Sequence, residues 1–267
     1  MKRTKKKERW IQHYSSFQKI LLVGEGDFSF SACLARQFGS AVNMVATSLD
    51  PQEIVYAKHW SCATHLQELK RLGCRVLHEV DVKEMNRHPT LINMEFDVIV
   101  FNFPHAGHFP GLCERNVKLI KMHREILKAF FKSASDMLSS GGEVHVTHRD
   151  DYPYNIWKVE KLANGAGLYL KEKVEFQKKD YPGYHNKRGG AIHSNKTFPL
   201  KDCYTFKFSV ALVRIRLTTY HEYSSSRLVF GKQLDISHLP IFGCALYVPI
   251  APTQRTKWVP NDDLGFM

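Results

Sequence analysis

The chain has no Cys-x-x-Cys pair; its six cysteines, Cys33, Cys62, Cys74, Cys113, Cys203 and Cys244, lie far apart. That spacing supports neither a zinc framework nor a disulfide framework and leaves free thiols in a reducing compartment as the expectation. No apolar run reaches the length of a membrane span, and no secretory leader is visible, so no membrane partner is expected. Acidic residues are in short supply: 26 Asp and Glu stand against 38 Lys and Arg, a formal net charge of +12. Such a balance favours a polyanionic partner, nucleic acid being the commonest, over a basic surface kept only for solubility. The rest is ordinary: 43% hydrophobic and 24% charged residues, with 267 residues to build one large α/β domain and an appendage.

The opening residues 1–12 form a basic segment, with Lys2, Arg3, Lys5, Lys6, Lys7 and Arg9 against a single Glu8. A run of this kind reads as a nuclear or nucleolar address, an RNA-binding arm or a solvated terminus, and the overall charge favours nuclear targeting. From residue 20 onward, elements alternate. Strands are predicted at Ile20–Val23, Val42–Thr47, Arg75–Val80, Phe96–Phe101, Glu143–His148, Leu168–Phe176 and Tyr204–Val210. Helices are predicted at Ser29–Phe38, after Pro51, at about 61–72, at about 116–138 with Gly141-Gly142 ending it, and near 156–164. Strands alternating with helices imply a mainly parallel sheet with right-handed crossovers. The last two strands have no helix between them, which implies antiparallel closure at one edge and separates a methyltransferase-type sheet from a dinucleotide dehydrogenase.

The first strand runs into Gly24-Glu25-Gly26-Asp27-Phe28-Ser29, a glycine turn of the sort that lets backbone approach a ligand closely. No Lys follows it, and Glu25 sits between the glycines. A triphosphate-cradling loop offers amides and a Lys, so an acid there suits a cationic ligand better. S-adenosylmethionine, with a sulfonium and an ammonium group, is the cofactor expected. Ligands of open α/β sheets bind beyond the carboxyl ends of the strands. Four segments fall there. Gly24, Glu25 and Gly26 would wrap the methionine part, with Asp27, Phe28 and Ser29 completing the cofactor-binding turn and Asp27 or Ser29 able to cap the helix that follows. Asp50 would accept the ribose hydroxyls, and Asp81 the adenine amine with Val82 against the ring. Asn102, Phe103, Pro104 and His105 would face the transferable methyl group. Singly, each also reads as an ordinary turn, cap or loop residue. An Asn and a neighbouring carbonyl can hold a ring N–H in plane, and His105, titrating near neutrality, is the nearest base, with a hydrogen-bonded loop histidine as the equal alternative. His105 and His108 have only loose metal-ligand spacing with no acidic or sulfur partner nearby, so no metal is expected. Between Lys178 and Arg188, basic residues (Lys178, Lys179, Lys187, Arg188) interleave with Tyr181, Tyr184 and His185. That pattern suits a single-stranded or flipped nucleotide; a solvated surface loop is the plainer reading.

Three motifs carry a resemblance. Gly-Glu-Gly-Asp-Phe-Ser-Phe-Ser at 24–31, Phe-Asn-Phe-Pro-His-Ala-Gly at 101–107 and Asp-Tyr-Pro-Gly-Tyr-His-Asn-Lys-Arg at 180–188 resemble the eukaryotic large-subunit rRNA uridine-N3 methyltransferase family. The lead-in His-Tyr-Ser-Ser-Phe at 13–17 makes plant members the most similar. The resemblance covers residues 10 to 208. It implies a Rossmann-like class I methyltransferase domain over 13–210 with a mainly parallel seven-stranded sheet and an antiparallel edge. It also implies S-adenosylmethionine, an rRNA substrate, a nucleolar or nuclear location and a monomer. Residues 211–267 instead resemble a fragment of a copia-type retrotransposon polyprotein without its acidic catalytic set, which implies a poorly packed appendage without activity. Two other functions are consistent with this sequence: a non-catalytic RNA-binding or scaffold protein descended from a methyltransferase, and a degenerate fused copy.

Overall fold

The computed structural model describes residues 7–190 and 192–210; the retrotransposon-like segment and most of the basic opening run lie outside the described residues. The chain begins with a short antiparallel hairpin, β1 (Trp10–Ile11) and β2 (Tyr14–Ser15). There follow β3 (Ile20–Val23), α1 (Ser29–Phe38), β4 (Met44–Thr47), α2 (Gln52–Lys58), α3 (Cys62–Arg71), β5 (Arg75–Leu77) and β6 (Phe96–Asn102). The second half holds α4 (Val117–Ser135), β7 (Leu138–Arg149), α5 (Val159–Asn164), β8 (Leu168–Glu175) and β9 (Cys203–Val210). Seven strands form one sheet in the order β5-β4-β3-β6-β7-β9-β8. β9 runs antiparallel to both its neighbours, and the other pairings are parallel.

β3 shows why this sheet is buried on both faces. Its four residues are all inaccessible; Ile20 and Leu22 enter one core layer while Leu21 and Val23 enter the other. Successive strand side chains point to opposite faces, so a continuous apolar run requires cover on both. One layer is filled from α1 and α3, the other from α4 and α5. α1 ends where Gly39 turns left-handed at φ 69° and its N–H donates to the Ala35 carbonyl at 2.9 Å. α4 starts where the Asn116 side chain accepts the Lys118 N–H at 2.9 Å.

Several expected boundaries move. β4 begins at Met44, with Val42 exposed. α4 stops at Ser135, and Gly141-Gly142 lies inside β7 instead of ending the helix. The reason is a close approach: a Cβ on Gly142 would stand 2.9 Å from the Phe96 carbonyl oxygen, where the β6–β7 register shifts. The helix expected near 156–164 is two pieces, a 3₁₀ turn over Tyr154–Trp157 and then α5, broken where Lys158 adopts φ 55°. The N-terminal hairpin has no counterpart in the predicted elements.

Candidate methyl-transfer site

A cavity of about 650 Å³ opens at the carboxyl ends of β3, β4 and β6, within the usual range for a small-molecule site. Fifteen of the residues singled out from the sequence line it: Gly24, Glu25, Gly26, Asp27, Ser29, Asp50, Asp81, Val82, Asn102, Phe103, His105, Tyr184, His185, Lys187 and Arg188. Phe28, Pro104, Lys178, Lys179 and Tyr181 do not.

The floor is the turn after β3. Gly24 adopts φ +66°, and a Cβ there would meet the Phe101 ring at 2.6 Å, so only glycine fits. Phe28 also has a positive φ, 60°, but its ring is fully buried with the core; it shapes the turn from inside and offers no face to a ligand. The two acids cap the helix they precede. Asp27 Oδ1 accepts the Ser29 N–H at 3.0 Å, and Glu25 Oε2 accepts the Ser31 N–H at 3.2 Å, satisfying amides that have no partner within the helix. Burial pushes the Glu25 carboxyl up to about 7, against the opposing pull of its hydrogen bonds to Ser31. Ser29 Oγ accepts the His185 N–H at 2.9 Å and so fastens the 180–190 loop across the turn as the cavity's far wall.

Farther along, Asp50 Oδ2 accepts from Lys58 Nζ at 2.7 Å. Asp81 is exposed, and its Oδ1 accepts the Lys83 N–H at 2.9 Å. At the end of β6, Phe103 takes φ 48° and packs edge-on against Phe176 and Phe198. Asn102 is different: its Oδ1 and Nδ2 are both buried, and neither has a hydrogen-bond partner among the described residues. A buried amide with a free donor and a free acceptor is costly, and this one borders the cavity. His105 is fully engaged. Its Nδ1 accepts the Gly107 N–H at 3.0 Å and its Nε2 lies 3.0 Å from Glu114 Oε1, so neither nitrogen has a lone pair free for the cavity. The geometry therefore assigns it the loop-histidine alternative and removes the base. An acidic partner does stand beside His105, contrary to the expectation from local sequence.

The 178–188 segment divides. Tyr181 and Tyr184 are buried in the core against Phe30, and Tyr181 stacks on Phe176 at 5.3 Å and 13°. They are structural rings, not stacking platforms for a base, because their faces are already used. Lys178 donates to Asn186 Oδ1 at 3.1 Å and Lys187 to the Asn195 carbonyl at 2.8 Å, while Lys179 is exposed. The Arg188 side chain has no hydrogen bond or ion pair among the described residues. Lys58, His59 and Lys121 also line the cavity and were missed; only the charge of Lys58 and Lys121 could have flagged them, and surface lysines are too common for that.

A parallel sheet in this strand order, closed by one antiparallel strand, with a glycine turn and strand-end acids around one cavity, defines a class I S-adenosylmethionine-dependent methyltransferase. Residues 21–188 match the family described as BMT5-like, rRNA (uridine-N3-)-methyltransferase BTM5-like, and the chain belongs to that family. It is 47% identical over 204 residues to Uncharacterized protein At4g26485 of Arabidopsis thaliana, covering 76% of this chain and 97% of the relative. It is 46% identical over 222 residues to Heavy metal-associated isoprenylated plant protein 41 of the same plant, covering 83% of this chain but only 42% of that longer protein. The 25S rRNA (uridine(2634)-N(3))-methyltransferase of Saccharomyces cerevisiae is 25% identical over 245 residues, with 72% of each chain covered.

Proposed function

We propose that this chain methylates N3 of a uridine in large-subunit rRNA. The observation that carries the reading is the Asn102 amide at the strand end, which has no hydrogen-bond partner among the described residues. One amide face offers an acceptor beside a donor, which complements the N3–H and adjacent carbonyl on the pairing edge of uracil; specific RNA recognition reads such edges on splayed-out bases.

The cavity fits the cofactor: the Gly24 turn admits no side chain, and the acids at 25 and 50 suit a cationic ligand that also carries ribose hydroxyls. S-adenosylmethionine supplies an electrophilic methyl group when bound. Around it, Glu25 would face the ammonium end, Asp50 would use Oδ1 for the ribose while Oδ2 holds Lys58, and Asp81 with Val82 would border the adenine. Once the N3 proton is lost, Asn102 orients the ring through Nδ2–H donated to the adjacent carbonyl, leaving the N3 lone pair open to an in-line approach, and positioning of this kind supplies a large part of the rate. His105 has no free lone pair, so the N3 proton passes to solvent water. Lys121, Lys187 and Arg188 line the cavity and favour the anionic imide by their charge. Lys179 and Arg188, whose side chains have no hydrogen bond or ion pair among the described residues, are available for phosphate contacts. Action on rRNA agrees with a nucleolar or nuclear location, which the basic opening segment also favours.

The test is mass spectrometry of rRNA nucleosides after incubation of the purified protein with S-adenosylmethionine. New 3-methyluridine is expected; its absence, alongside tight cofactor binding, would contradict the reading and favour a non-catalytic RNA-binding role.

A further inference from the structure

Behind His105 on the cavity wall lies a cluster with the makings of a metal centre. His105 Nε2 is 3.0 Å from Glu114 Oε1, and His123 Nε2 is 3.5 Å from Glu114 Oε2. One ligand atom from each of the three lies within 4.8 Å of the others. Two imidazoles and a carboxylate bonded to zinc at about 2.0–2.2 Å would stand at comparable separations.

The opposite edges of the two rings decide the matter. The Ala106 N–H donates to His123 Nδ1 at 3.0 Å, and the Gly107 N–H donates to His105 Nδ1 at 3.0 Å. A backbone amide can only donate, so both Nδ1 atoms are acceptors. A neutral imidazole whose Nδ1 accepts carries its proton on Nε2. Metal on Nε2 would take the lone pair there and force the proton onto Nδ1, facing an amide N–H. Metal-bound histidines show the reverse arrangement, with the second ring N–H donating to a carboxylate or carbonyl.

We infer that Glu114 and His123 are positioning residues: with His105 they form a bracket of two neutral imidazoles around the Glu114 carboxylate that clamps the 103–107 loop to α4. Glu114 accepts from His105 Nε2–H and faces His123 Nε2–H across the longer gap. Burial opposes ionisation of Glu114, yet the hydrogen bond from His105 and the nearby His123 Nε2–H at 3.5 Å outweigh it and hold its carboxyl below the usual range. His123 is buried and lies flat on Trp157, 4.1 Å between centroids at 20°. Arg124 in turn donates to the Trp157 carbonyl at 3.0 Å, so the ring that receives the Ala106 N–H is backed by fixed structure. Asn102 closes β6 four residues before Ala106, so the clamp holds the loop that leaves its amide. What the loop does rests on the methyl-transfer reading; the clamp itself does not.

Two substitutions of one residue separate the bracket from simple packing. His123→Asn keeps an acceptor oxygen near the place of Nδ1, and His123→Leu removes it, while both lose the contact with Glu114. Amide exchange at Ala106 and Gly107 is expected to rise in His123→Leu and to be largely restored in His123→Asn. The kcat for methyl transfer is expected to fall about tenfold to a hundredfold in His123→Leu, the cost of a small misplacement, with recovery in His123→Asn and an unchanged Kd for S-adenosylmethionine. If His123→Leu does not fold, Glu114→Ala is the second variant, with lowered kcat and unchanged cofactor affinity expected. Equal exchange and equal kcat across these proteins would overturn the bracket. So would stoichiometric binding of zinc chloride to the wild-type protein by calorimetry, abolished by His123→Asn. If the wild type transfers no methyl group, the methyl-transfer reading fails, and the exchange measurement still decides the bracket.

Discussion

Asn102 and Glu25 show what single side chains give up in the free protein for the sake of a ligand. The Asn102 amide is buried without partners among the described residues, an arrangement that costs about 1–3 kcal/mol. Asn102→Ala should therefore leave the melting temperature unchanged or raise it, while 3-methyluridine formation is lost; a large drop in melting temperature would show that the amide serves the fold. Glu25 makes a pH prediction. Its carboxyl is pushed up to about 7 by burial, so much of it is neutral at physiological pH. A bound cation favours the ionised form, so cofactor affinity should weaken as pH falls through 7, and Glu25→Gln should flatten that dependence in calorimetric titrations. In the free protein the sign is opposite. A carboxyl raised from 4.5 in the fold contributes stability that is fully present below pH 4.5 and lost as pH rises through about 7.

At the scale of elements, the legible parts were those with local periodicity. β3 and β6 are continuous apolar runs because both faces are covered, and such runs can be read directly. Strand-end acids and glycines could be placed for the same reason: the ends of strands are local features. Tyr181 and Tyr184 could not. Interleaved with lysines they look like a nucleotide platform, and only the packing of Phe30 and Phe176 shows their faces to be used. Tyr181→Ala should destabilise the fold by about 3–5 kcal/mol, as for other buried aromatics, whereas Lys179→Ala should weaken RNA binding with no change in melting temperature. The bracket was illegible for a different reason. Glu114 and His123 are separated from His105 by a loop and by two turns of α4, and no spacing rule joins them. Gly24→Ala should cost at least about 1–2 kcal/mol for the left-handed backbone alone, with displacement of Phe101 added, and thermal unfolding would show it.

For the whole molecule, a net charge of +12 bears on binding to RNA, not on the fold. The logarithm of the RNA association constant should fall linearly with the logarithm of salt concentration, by about 0.7 for each phosphate neutralised in a single strand; a salt-independent constant would remove phosphate contacts from the account. The seven strands and the described lining of the cavity lie before residue 211. A chain ending at Val210 is therefore expected to bind S-adenosylmethionine as tightly as the full one. The central claim is that one strand-end amide presents a uridine imide to the methyl donor. Its most direct test is incorporation of labelled methyl groups into rRNA by the wild type and by Asn102→Ala, both saturated with S-adenosylmethionine as checked by calorimetry. The account predicts 3-methyluridine from the wild type and at least about a hundredfold less from the variant. Equal incorporation by both proteins, or none by either at full cofactor occupancy, would contradict it.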